Sequence, residues 1–306
     1  MAGLINGTPN RLTQHKIVSE ANPAIGFGFS SLPDDAEPSN PEAQLPGNTQ
    51  VARAPIAVTA VIPTLNESAQ IETAIDALSW LDQVVVVDGG STDDTVAKAQ
   101  AAGACVLHLC DTTIGSQRNA GIELARNPWV LAIDADERVD PTLREEIARV
   151  VDSPVGPSAY GFRFKNEYLG RELKHGPWGR DWHIRLFTRD QRYSATKVHE
   201  GLQVEGAVGS LSGAMIHRPY RDIAHHAAKI MKYSRWGAED LRAKGRRPSI
   251  WALVTRPAWR FIRDYIIYSG WRDGIQGFIA AVLSSFAAFL KYAFLFDSGG
   301  GGSKSV

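Results

Sequence analysis

The chain has 306 residues, enough for one large domain or for one domain with appended segments. Its 44% hydrophobic and 22% charged residues are ordinary for a globular protein, and its formal net charge of zero excludes any preference for a partner based on overall charge. The only two cysteines, Cys105 and Cys110, lack metal-ligand spacing, so we expect reduced, buried thiols in a cytosolic protein.

Residues 1–53 are rich in Pro, Asn, Ser and Gly, and we predict a disordered leader because such a composition buries too little apolar surface to order itself. Apolar runs and helical periodicity then alternate within a predicted main domain, residues 54–220. In chain order they predict strands at 56–62, 84–87, 104–109 and 129–133, and helices at 68–78, 96–102, 116–126 and 141–151. This alternation favours an α/β fold with a mostly parallel sheet flanked by helices.

The pattern changes after residue 152. Residues 160–164 and part of 184–187 alternate between apolar and polar, and 198–204 is extended in character, which predicts a smaller, partly antiparallel addition to the sheet. From Asp222 onward the chain is helical in pattern. Residues 298–306 are Gly-rich and are typical of a flexible tail or linker.

Two carboxylates follow the fourth predicted strand, at Asp134 and Asp136. In extended geometry they share one face, and two carboxylates on one face suit a hard divalent cation that also holds substrate phosphates. The carboxyl end of such a strand is also where open α/β sheets bind ligands. The alternative is a strand end with solvated acids.

Two loops precede this pair at the same predicted edge of the sheet. Pro63-Thr64-Leu65-Asn66-Glu67 follows the first strand, and the run from Asp88 to Thr95 follows the second. Glycines such as Gly90 let the backbone approach a ligand, and an acid can accept hydrogen bonds from ribose hydroxyls or a base. The two loops together favour a nucleotide pocket. Alone, the second could be a tight loop in which Asp93 caps the next helix.

These motifs, in this order and spacing, resemble family 2 glycosyltransferases with the nucleotide-sugar-binding A-type fold. The resemblance covers roughly residues 56–220. Further motifs resemble the bacterial subgroup that adds a hexose to lipopolysaccharide core or to related lipid-linked glycans. They are Gly115-Ser116-Gln117-Arg118-Asn119-Ala120-Gly121, the Asp-Ala-Asp-Glu-Arg form at 134–138, Tyr168-Leu169-Gly170-Arg171, His175-Gly176-Pro177-Trp178, Arg185-Leu186-Phe187 and Val198-His199-Glu200.

The resemblance implies roles for individual residues on the donor side. Pro63, Thr64, Asn66 and Glu67 would line the base and ribose pocket, with Asp88, Gly90 and Asp93 holding base and ribose. Gln117, Arg118 and Asn119 open a predicted helix, where backbone N–H groups and Arg suit a diphosphate or sugar; the alternative is an ordinary helix N-terminus. Asp134 would face the sugar and Asp136 the metal.

The same resemblance implies an inverting, metal-dependent hexosyltransferase. Mg²⁺ or Mn²⁺ would neutralise the leaving nucleotide diphosphate, and one general base would take the proton of the acceptor hydroxyl. We favour Asp181 as this base over Glu200; the alternative for each is a salt bridge with Arg180, Arg185 or Lys197. His199 is a further candidate contact to metal or diphosphate. Arg163, Trp178, Trp182 and Arg185 are candidates for an acceptor-binding wall, the alternative being ordinary packing.

The composition of the C-terminal third predicts that residues 221–297 are helical and membrane-associated. Residues 221–272 hold twelve Lys or Arg against four Asp or Glu, with Trp and Tyr interleaved, and residues 274–296 are almost wholly apolar apart from a few residues such as Lys291. This pattern favours peripheral or monotopic attachment to an anionic membrane surface. The resemblance implies that this surface is the cytoplasmic face of a bacterial inner membrane. The alternative is a soluble helical cap. The adjoining apolar segment fits lipid better than nucleic acid, so we expect no nucleic-acid partner.

The expected partners are therefore a nucleotide-sugar donor, with UDP-hexose first and GDP or dTDP sugars as alternatives, and a lipid-linked glycan acceptor. Two other functions remain open at this point. One is a polyprenyl-phosphate sugar transferase, which needs no general base because its acceptor is a phosphate. The other is a non-catalytic nucleotide-sugar-binding protein, which the intact acids of the two loops and of the Asp-Ala-Asp motif argue against.

Overall fold

Strands and helices alternate through the first half of the sheet, as predicted. A computed structural model describes residues 54–110, 112–194 and 201–297. The strands are β1 (Ile56–Thr64), β2 (Leu81–Asp88), β3 (Cys105–His108) and β4 (Trp129–Ala132); the helices between them are α1 (Ile71–Asp76), α2 (Thr95–Ala101) and α3 (Ile114–Glu123). The four strands are parallel in the order β3-β2-β1-β4, so their carboxyl ends lie at one edge.

Two local expectations fail. Helix α1 begins at Ile71 rather than at Ser68, because the backbone of Ser68 is bonded to the next loop: its N–H donates to Asp93 Oδ2 at 3.3 Å and its carbonyl accepts from Lys98 Nζ at 2.7 Å. Cys105 and Cys110 are free thiols as expected, but both are exposed rather than buried.

The second half extends the sheet with mixed strands, as predicted. Its elements are β5 (Glu137–Val139), α4 (Pro141–Val151), β6 (Ala159–Tyr168), β7 (Arg171–Glu172), β8 (Trp182–Thr188), β9 (Arg192–Tyr193), β10 (Leu202–Gln203) and β11 (Val208–His217). The full order is β3-β2-β1-β4-β8-β6-β11-β5, with β7 on β6 and a separate β9–β10 pair. Strand β8 is antiparallel to both of its neighbours, whereas β6 and β11 are parallel.

Helices cover both faces of this sheet. On one face α4 buries Leu143 and Ile147 against a core that includes Ile62. It begins as predicted, with Pro141 in its first turn and with Asp140 Oδ1 accepting from Leu143 N at 2.8 Å. On the other face α3 approaches so closely that a Cβ on Gly121 would lie 2.4 Å from Val61 Cγ1. This α/β architecture confirms the predicted fold class.

The C-terminal third is helical from Ile223, and Asp222 caps the first helix through a 2.7 Å bond from His225 N. It consists of α5 (Ile223–Ala243), α6 (Ile250–Phe261), a π-helical turn at Ile262–Ile267, a 3-10 turn at Gly270–Asp273 and α7 (Gly274–Ala293). The segment Gly270–Ala293 is long and apolar enough to cross a membrane, judged by length and composition alone.

All described residues lie in one compact unit, Ala52–Val306. The helical third packs on the loop after β7: the carboxylate of Asp273 accepts from His175 N at 2.8 Å, and Gly176 N donates to Tyr268 O at 2.9 Å. The predicted leader (1–53) and tail (298–306) lie outside the described residues, and the proposed boundary near residue 220 stays a prediction.

Candidate active site

The loops after β1 and β2 are joined to each other at the carboxyl edge of the sheet. Asn66 adopts a left-handed backbone (φ 58°), donates its N–H to Ser91 Oγ at 2.8 Å and accepts from Thr92 N at 2.8 Å. Asn tolerates this conformation better than most residues. The structure therefore brings the two predicted donor loops together and gives Asn66 the role of joining them.

Asp93 has a similar structural role. Its Oδ1 accepts from Thr95 N and Oγ1, at 3.1 and 2.5 Å, and its Oδ2 accepts from Ser68 N at 3.3 Å. The hydrogen bond from the Thr95 side chain, followed by that from Ser68, lowers the pKa of Asp93 to about 2. Asp93 thus fixes the loop, while the residue that immediately precedes α2 is Asp94.

Asp88 and Thr64 are two buried polar residues where these loops leave β2 and β1. Asp88 is 1% exposed, and its carboxylate accepts from Gly90 N at 3.1 Å and Ser91 N at 3.1 Å. Gly90 has φ 101°, and a Cβ there would lie 3.1 Å from Cys110 Sγ, so a side chain at this position would be strained. Thr64 Oγ1 is buried and finds no hydrogen-bond partner among the described residues. Such orphaned atoms mark places that solvent or a ligand completes.

The start of α3 serves three different functions. Gln117 is buried and donates to Leu109 O at 3.3 Å. Arg118 reaches Asp134 Oδ1 at 2.7 Å. Asn119 is bonded to both backbone polar groups of Tyr193, at 2.8 and 2.9 Å, and so it ties β9 to the helix. Of the three residues predicted to bind donor, Arg118 is the one whose side chain reaches the Asp-Ala-Asp motif.

The Asp134-Ala135-Asp136 motif lies in a turn, not on a strand. Strand β4 ends at Ala132, and the turn closes through a 3.0 Å bond from Glu137 N to Asp134 O. The expectation that the two carboxylates share one strand face is therefore wrong. Asp134 faces the guanidinium groups of Arg118 and Arg185, whereas Asp136 faces His217 and Lys229.

Asp134 belongs to a buried charge network. Arg185, 9% exposed, contacts Asp134 Oδ2 at 3.4 Å and Glu137 Oε1 at 3.0 Å. Burial raises the pKa of Asp134, but the charges of Arg118 and Arg185 outweigh burial and hold it well below its ordinary value. Burial, reinforced by the charge of Asp134 and only partly offset by Arg185, raises the pKa of Glu137 to about 7.

Asp136 and His217 form the candidate metal site. Together with Glu137 they bring possible ligand atoms within 4.8 Å of one another, and Asp136 Oδ1 lies 3.7 Å from His217 Nε2. Both oxygens of Glu137 are already used, by Arg185 and by the N–H of Asp134 at 2.8 Å. Asp136 and His217 are therefore the more available ligands.

Asn166 fixes the tautomer of His217 that a metal needs. Its amide nitrogen donates to Trp178 O at 2.9 Å, which leaves its oxygen to face His217 Nδ1 at 2.7 Å. With the proton on Nδ1, the lone pair of Nε2 points towards Asp136, as in metal sites whose second ring nitrogen is held by a neighbour. The donor set of one carboxylate and one imidazole fits a divalent transition ion.

Asp181, the favoured base, joins the same polar network. Its Oδ1 is 2.6 Å from His183 Nε2, and its Oδ2 accepts from Asn166 at 3.2 Å. The expected alternative partners Arg180 and Arg185 are not the ones it uses. Burial raises the pKa of Asp181, but the hydrogen bond and charge of His183 outweigh it, so the pKa lies below the ordinary value. The other predicted residues, His199 and Glu200, lie outside the described part of the chain.

The four predicted acceptor residues do not form one wall. Arg163 and Trp182 are register partners on β6 and β8, and the indole of Trp182 packs over Gly161 on their face of the sheet. Their neighbours Phe164 and His183 contact each other on the opposite face, since successive strand side chains alternate. Arg185 also lies there, in the charge network. Trp178 instead packs edge-on against Tyr168 and beside Tyr220.

Sequence reasoning missed His217, Asn166, Lys229 and the burial of Glu137. Only Glu137 had a local signal, as the last acid of the Asp-Ala-Asp-Glu run. His217 is brought in by strand pairing: it is the register partner of both Glu137 on β5 and Asn166 on β6. Lys229 lies on α5, and its Nζ is 3.9 Å from Asp136 Oδ2.

Comparisons with known proteins find similar chains. The profile of Glycosyl transferase family 2 matches residues 59–204. The lipopolysaccharide core biosynthesis glycosyltransferase LpsC of Rhizobium meliloti (strain 1021) is 33% identical over 257 residues, covering 78% of this chain and 92% of the relative. An uncharacterized glycosyltransferase of Rickettsia felis is 29% identical over 256 residues, covering 79% and 90%.

A more distant likeness exists among solved structures. Glucosyl-3-phosphoglycerate synthase from Mycobacterium tuberculosis, in complex with Mn²⁺, UDP and glucosyl-3-phosphoglycerate, is 19% identical with a TM-score of 0.38. It covers 55% of this chain and 73% of its own.

Proposed function

Because this chain belongs to glycosyl transferase family 2, we propose that it transfers a hexose, with inversion, from a nucleotide sugar to a hydroxyl of a lipid-linked or lipopolysaccharide-type glycan. UDP-hexose is the first candidate donor. The observation that carries the proposal is the Asp134–Asp136 turn, whose two carboxylates face two different sets of partners beside the joined donor loops.

Binding of a nucleotide-sugar donor is supported by the residues at the carboxyl ends of β1 and β2. The buried hydroxyl of Thr64, which has no partner among the described residues, and the buried carboxylate of Asp88 lie where the two loops meet, at the carboxyl ends of parallel strands. Pro63, Glu67 and Gly90 belong to the same loops. Arg118 and Arg185 hold Asp134 ionised and fixed, which suits a carboxylate that positions sugar hydroxyls.

Asp136 and His217 would hold a divalent cation, with Asn166 orienting the imidazole. Such a cation, when bound, neutralises charge on the departing nucleotide diphosphate. Because imidazole is a softer ligand than an oxygen, this pair favours Mn²⁺ over Mg²⁺. Lys229, beside Asp136, adds a positive charge on the same side.

The acceptor half is supported by Asp181. Its side chain is 32% exposed, so an acceptor hydroxyl can reach it. As that oxygen forms its bond to the anomeric carbon, the bond from this carbon to the diphosphate oxygen breaks, and the hydroxyl proton passes to the Asp181 carboxylate. His183 and Asn166 hold the carboxylate in place and keep it ionised.

The membrane side of the proposal is supported by α6 and α7. Both expose large apolar side chains, among them Trp251 (81% exposed), Trp259 and Ile275. Arg256 and Arg272 lie on the same segment of the chain. We propose attachment at the cytoplasmic face of the inner membrane, peripheral or monotopic, with anionic headgroups meeting the cations and acyl chains meeting the exposed apolar surface.

A thermal-shift panel of UDP-, GDP- and dTDP-sugars, with and without Mn²⁺, tests the donor. A ligand that binds the folded state raises its stability according to its affinity, so the correct nucleotide should stand out and should require Mn²⁺. Asp136→Asn should lose the Mn²⁺-dependent part of the shift, whereas Asp152→Asn, an acid at the end of α4, should keep it. If no nucleotide shifts the melting temperature, the proposal is wrong.

Variants of the two base candidates separate hydroxyl from phosphate acceptors. With a hydroxyl acceptor, either Asp181→Asn or Glu200→Gln should lose most of kcat while donor binding persists. A polyprenyl-phosphate transferase, which needs no base, would keep its activity in both variants. Anomeric analysis of the product by NMR decides between inversion and retention.

A further inference from the structure

A cavity of about 330 Å³ lies between α5, α6 and α7, outside the candidate active site. Its volume is at the low end of the roughly 300–1,000 Å³ range of ligand pockets. Trp178, Tyr220 and Tyr233 form the aromatic part of its lining. The mechanism proposed above uses none of these residues.

Small residues of α7 create this space. Ala280, Ser284, Ala287 and Ala288 all line the cavity and recur at helical spacing, so they lie on one face of the helix. Another face of α7 exposes large apolar side chains, including Ile275, Phe278, Val282, Phe286 and Phe289. Helix α7 therefore separates the cavity from the surface proposed to meet the membrane.

The lining carries positive charge without a carboxylate. Of its two cations, Arg260 is bonded to Asp264 at 2.8 Å, whereas Lys291 has no carboxylate within ion-pair distance among the described residues. The stem of Lys291 crosses to α5 at Gly237, where a Cβ would lie 2.7 Å from Lys291 Cδ. A charge set into an otherwise apolar helix is costly unless a counter-charge or solvent meets it.

The other titratable groups of the lining are neutral near pH 7. Burial, followed by the charges of His225 and Lys229, lowers the pKa of His226 to about 4. Burial chiefly raises the pKa of Tyr220 to about 12. The cavity thus combines apolar and aromatic walls with one cation that lacks an acidic partner, which is complementary to an anionic amphiphile.

Its aromatic wall also borders the candidate metal site. Lys229 Nζ lies 5.5 Å above the Tyr220 ring and 3.9 Å from Asp136 Oδ2. A molecule in the cavity would therefore extend towards the reacting groups.

We propose that this cavity is an acceptor subsite that binds a phosphate-bearing amphiphile, with the phosphate at Lys291 and the hydrocarbon chain along the small residues of α7. The inference rests on the proposed function, because it names the part of the lipid-linked acceptor that this surface holds. The chain and the phosphate are recognised together, so neither alone binds as well.

Isothermal titration of the full-length protein with three probes tests this, each below its critical micelle concentration. Dodecyl phosphate carries both features, dodecyl maltoside carries only the chain and inorganic phosphate only the anion. We expect dodecyl phosphate to bind at least tenfold more tightly than either of the others. Equal binding of inorganic phosphate, or no binding of dodecyl phosphate, would overturn the proposal.

Two variants locate the site. Lys291→Met should weaken dodecyl phosphate binding at least tenfold and leave dodecyl maltoside unchanged, whereas Lys232→Met, on the exposed side of α5, should change neither. Ala288→Leu should weaken both amphiphiles, whereas Ala258→Leu, exposed on α6, should weaken neither. If Ala288→Leu fails to fold, Lys291→Met still decides: wild-type affinity in that variant contradicts the assignment.

Donor binding, measured in parallel by UDP and Mn²⁺ thermal shift, keeps the two proposals apart. Nucleotide binding without dodecyl phosphate binding refutes the subsite and leaves the transferase intact. Dodecyl phosphate binding without nucleotide binding supports the subsite and refutes the transferase.

Discussion

Arg185 lies between two carboxylates, Asp134 and Glu137, and is almost fully buried. Replacing it with Met leaves Glu137 buried without its cation, because Glu137 is only 1% exposed. Removing one partner of a buried ion pair costs about 3–5 kcal/mol. We therefore predict that Arg185→Met lowers the free energy of unfolding by about this amount, measured by urea denaturation.

The control is Arg192→Met, which removes the exposed pair with Glu123. Exposed ion pairs contribute little, so this variant should unfold near the wild-type urea concentration. Equal losses of unfolding free energy in both variants would contradict the prediction, because the buried ion pair would then contribute no more to stability than the exposed one.

His217 and Asn166 make a prediction about metal affinity that does not depend on turnover. His217→Ala removes a proposed ligand, and Asn166→Ala removes the group that orients it. Loss of an orienting partner typically weakens metal binding about 10- to 100-fold. Free Mn²⁺, followed by electron paramagnetic resonance, should rise in both variants. His183→Ala, which removes the partner of Asp181, should bind Mn²⁺ normally; weaker binding there would contradict the ligand assignment.

The pH dependence of activity follows from Asp181. A general base must be ionised, and its pKa lies below the ordinary 3.8, because His183 outweighs burial. Asp181 itself should therefore stay ionised, and able to accept a proton, until the pH falls below 3.8. In His183→Gln the lowering contribution disappears while burial remains, so the acid limb of kcat/KM should move to higher pH. An unmoved limb would exclude Asp181 as the titrating group.

At the scale of elements, the loop that carries Asp181 is held by the C-terminal turns. Asp273, 3% exposed, accepts from His175 N at 2.8 Å and contacts His175 Nδ1 at 2.7 Å. At the other end of the loop, the Arg180 guanidinium lies 4.7 Å from the centre of the Tyr268 ring. The helical third therefore positions the loop that carries the proposed base.

Asp273→Asn should accordingly lower kcat by roughly ten- to a hundred-fold with little change in donor KM, because small displacements of a reacting group are costly. Steady-state kinetics with saturating acceptor measures this. Asp240→Asn, an exposed acid of α5 paired with Lys244, is the matched control and should retain kcat. If the KM for the donor rises and kcat is unchanged, the contact of Asp273 with His175 supports the donor pocket and not the proposed base.

At the scale of the whole molecule, the exposed apolar residues of α6 and α7 lie on one continuous stretch of the chain. Trp251 is 81% exposed and Trp259 53% exposed. Burying such side chains in lipid contributes about 1.5–3 kcal/mol each, so Trp251→Ser with Trp259→Ser should weaken binding to anionic liposomes at least about tenfold.

Sedimentation with phosphatidylglycerol vesicles measures the effect, and added salt should weaken binding further by screening the cations. Val254→Ser on α6 and Val155→Ser in the loop after α4 form a matched pair, exposed by 62% and 84%. Only Val254→Ser should reduce binding to the vesicles. A protein that stays in the supernatant at low salt would refute membrane attachment.

The local pattern of apolar and polar residues was sufficient to predict the parallel half of the sheet. Continuous apolar runs and helical periodicity predict β1, β2, β3 and β4 and the helices between them. For β1, β2 and β4, which lie inside the sheet, the reason is that buried parallel strands are apolar on both faces. The start of α4 at Pro141 is equally local, because proline favours the first turn of a helix. The order and spacing of the loop motifs, together with Asp134 and Asp136, were sufficient to indicate the family.

Only the tertiary structure decided how the acids are used. Asp134 and Asp136 have different partners because the chain turns after Ala132, and the register of β5, β6 and β11 brings His217 beside Asp136 from eighty residues away. Arg163 and Trp182 were predicted to bind the acceptor from their residue types. Strand alternation puts them on the face of the sheet opposite to His183. A sequence specifies which groups are available, whereas pairing register and packing determine which of them meet, because those contacts depend on residues far apart in the chain.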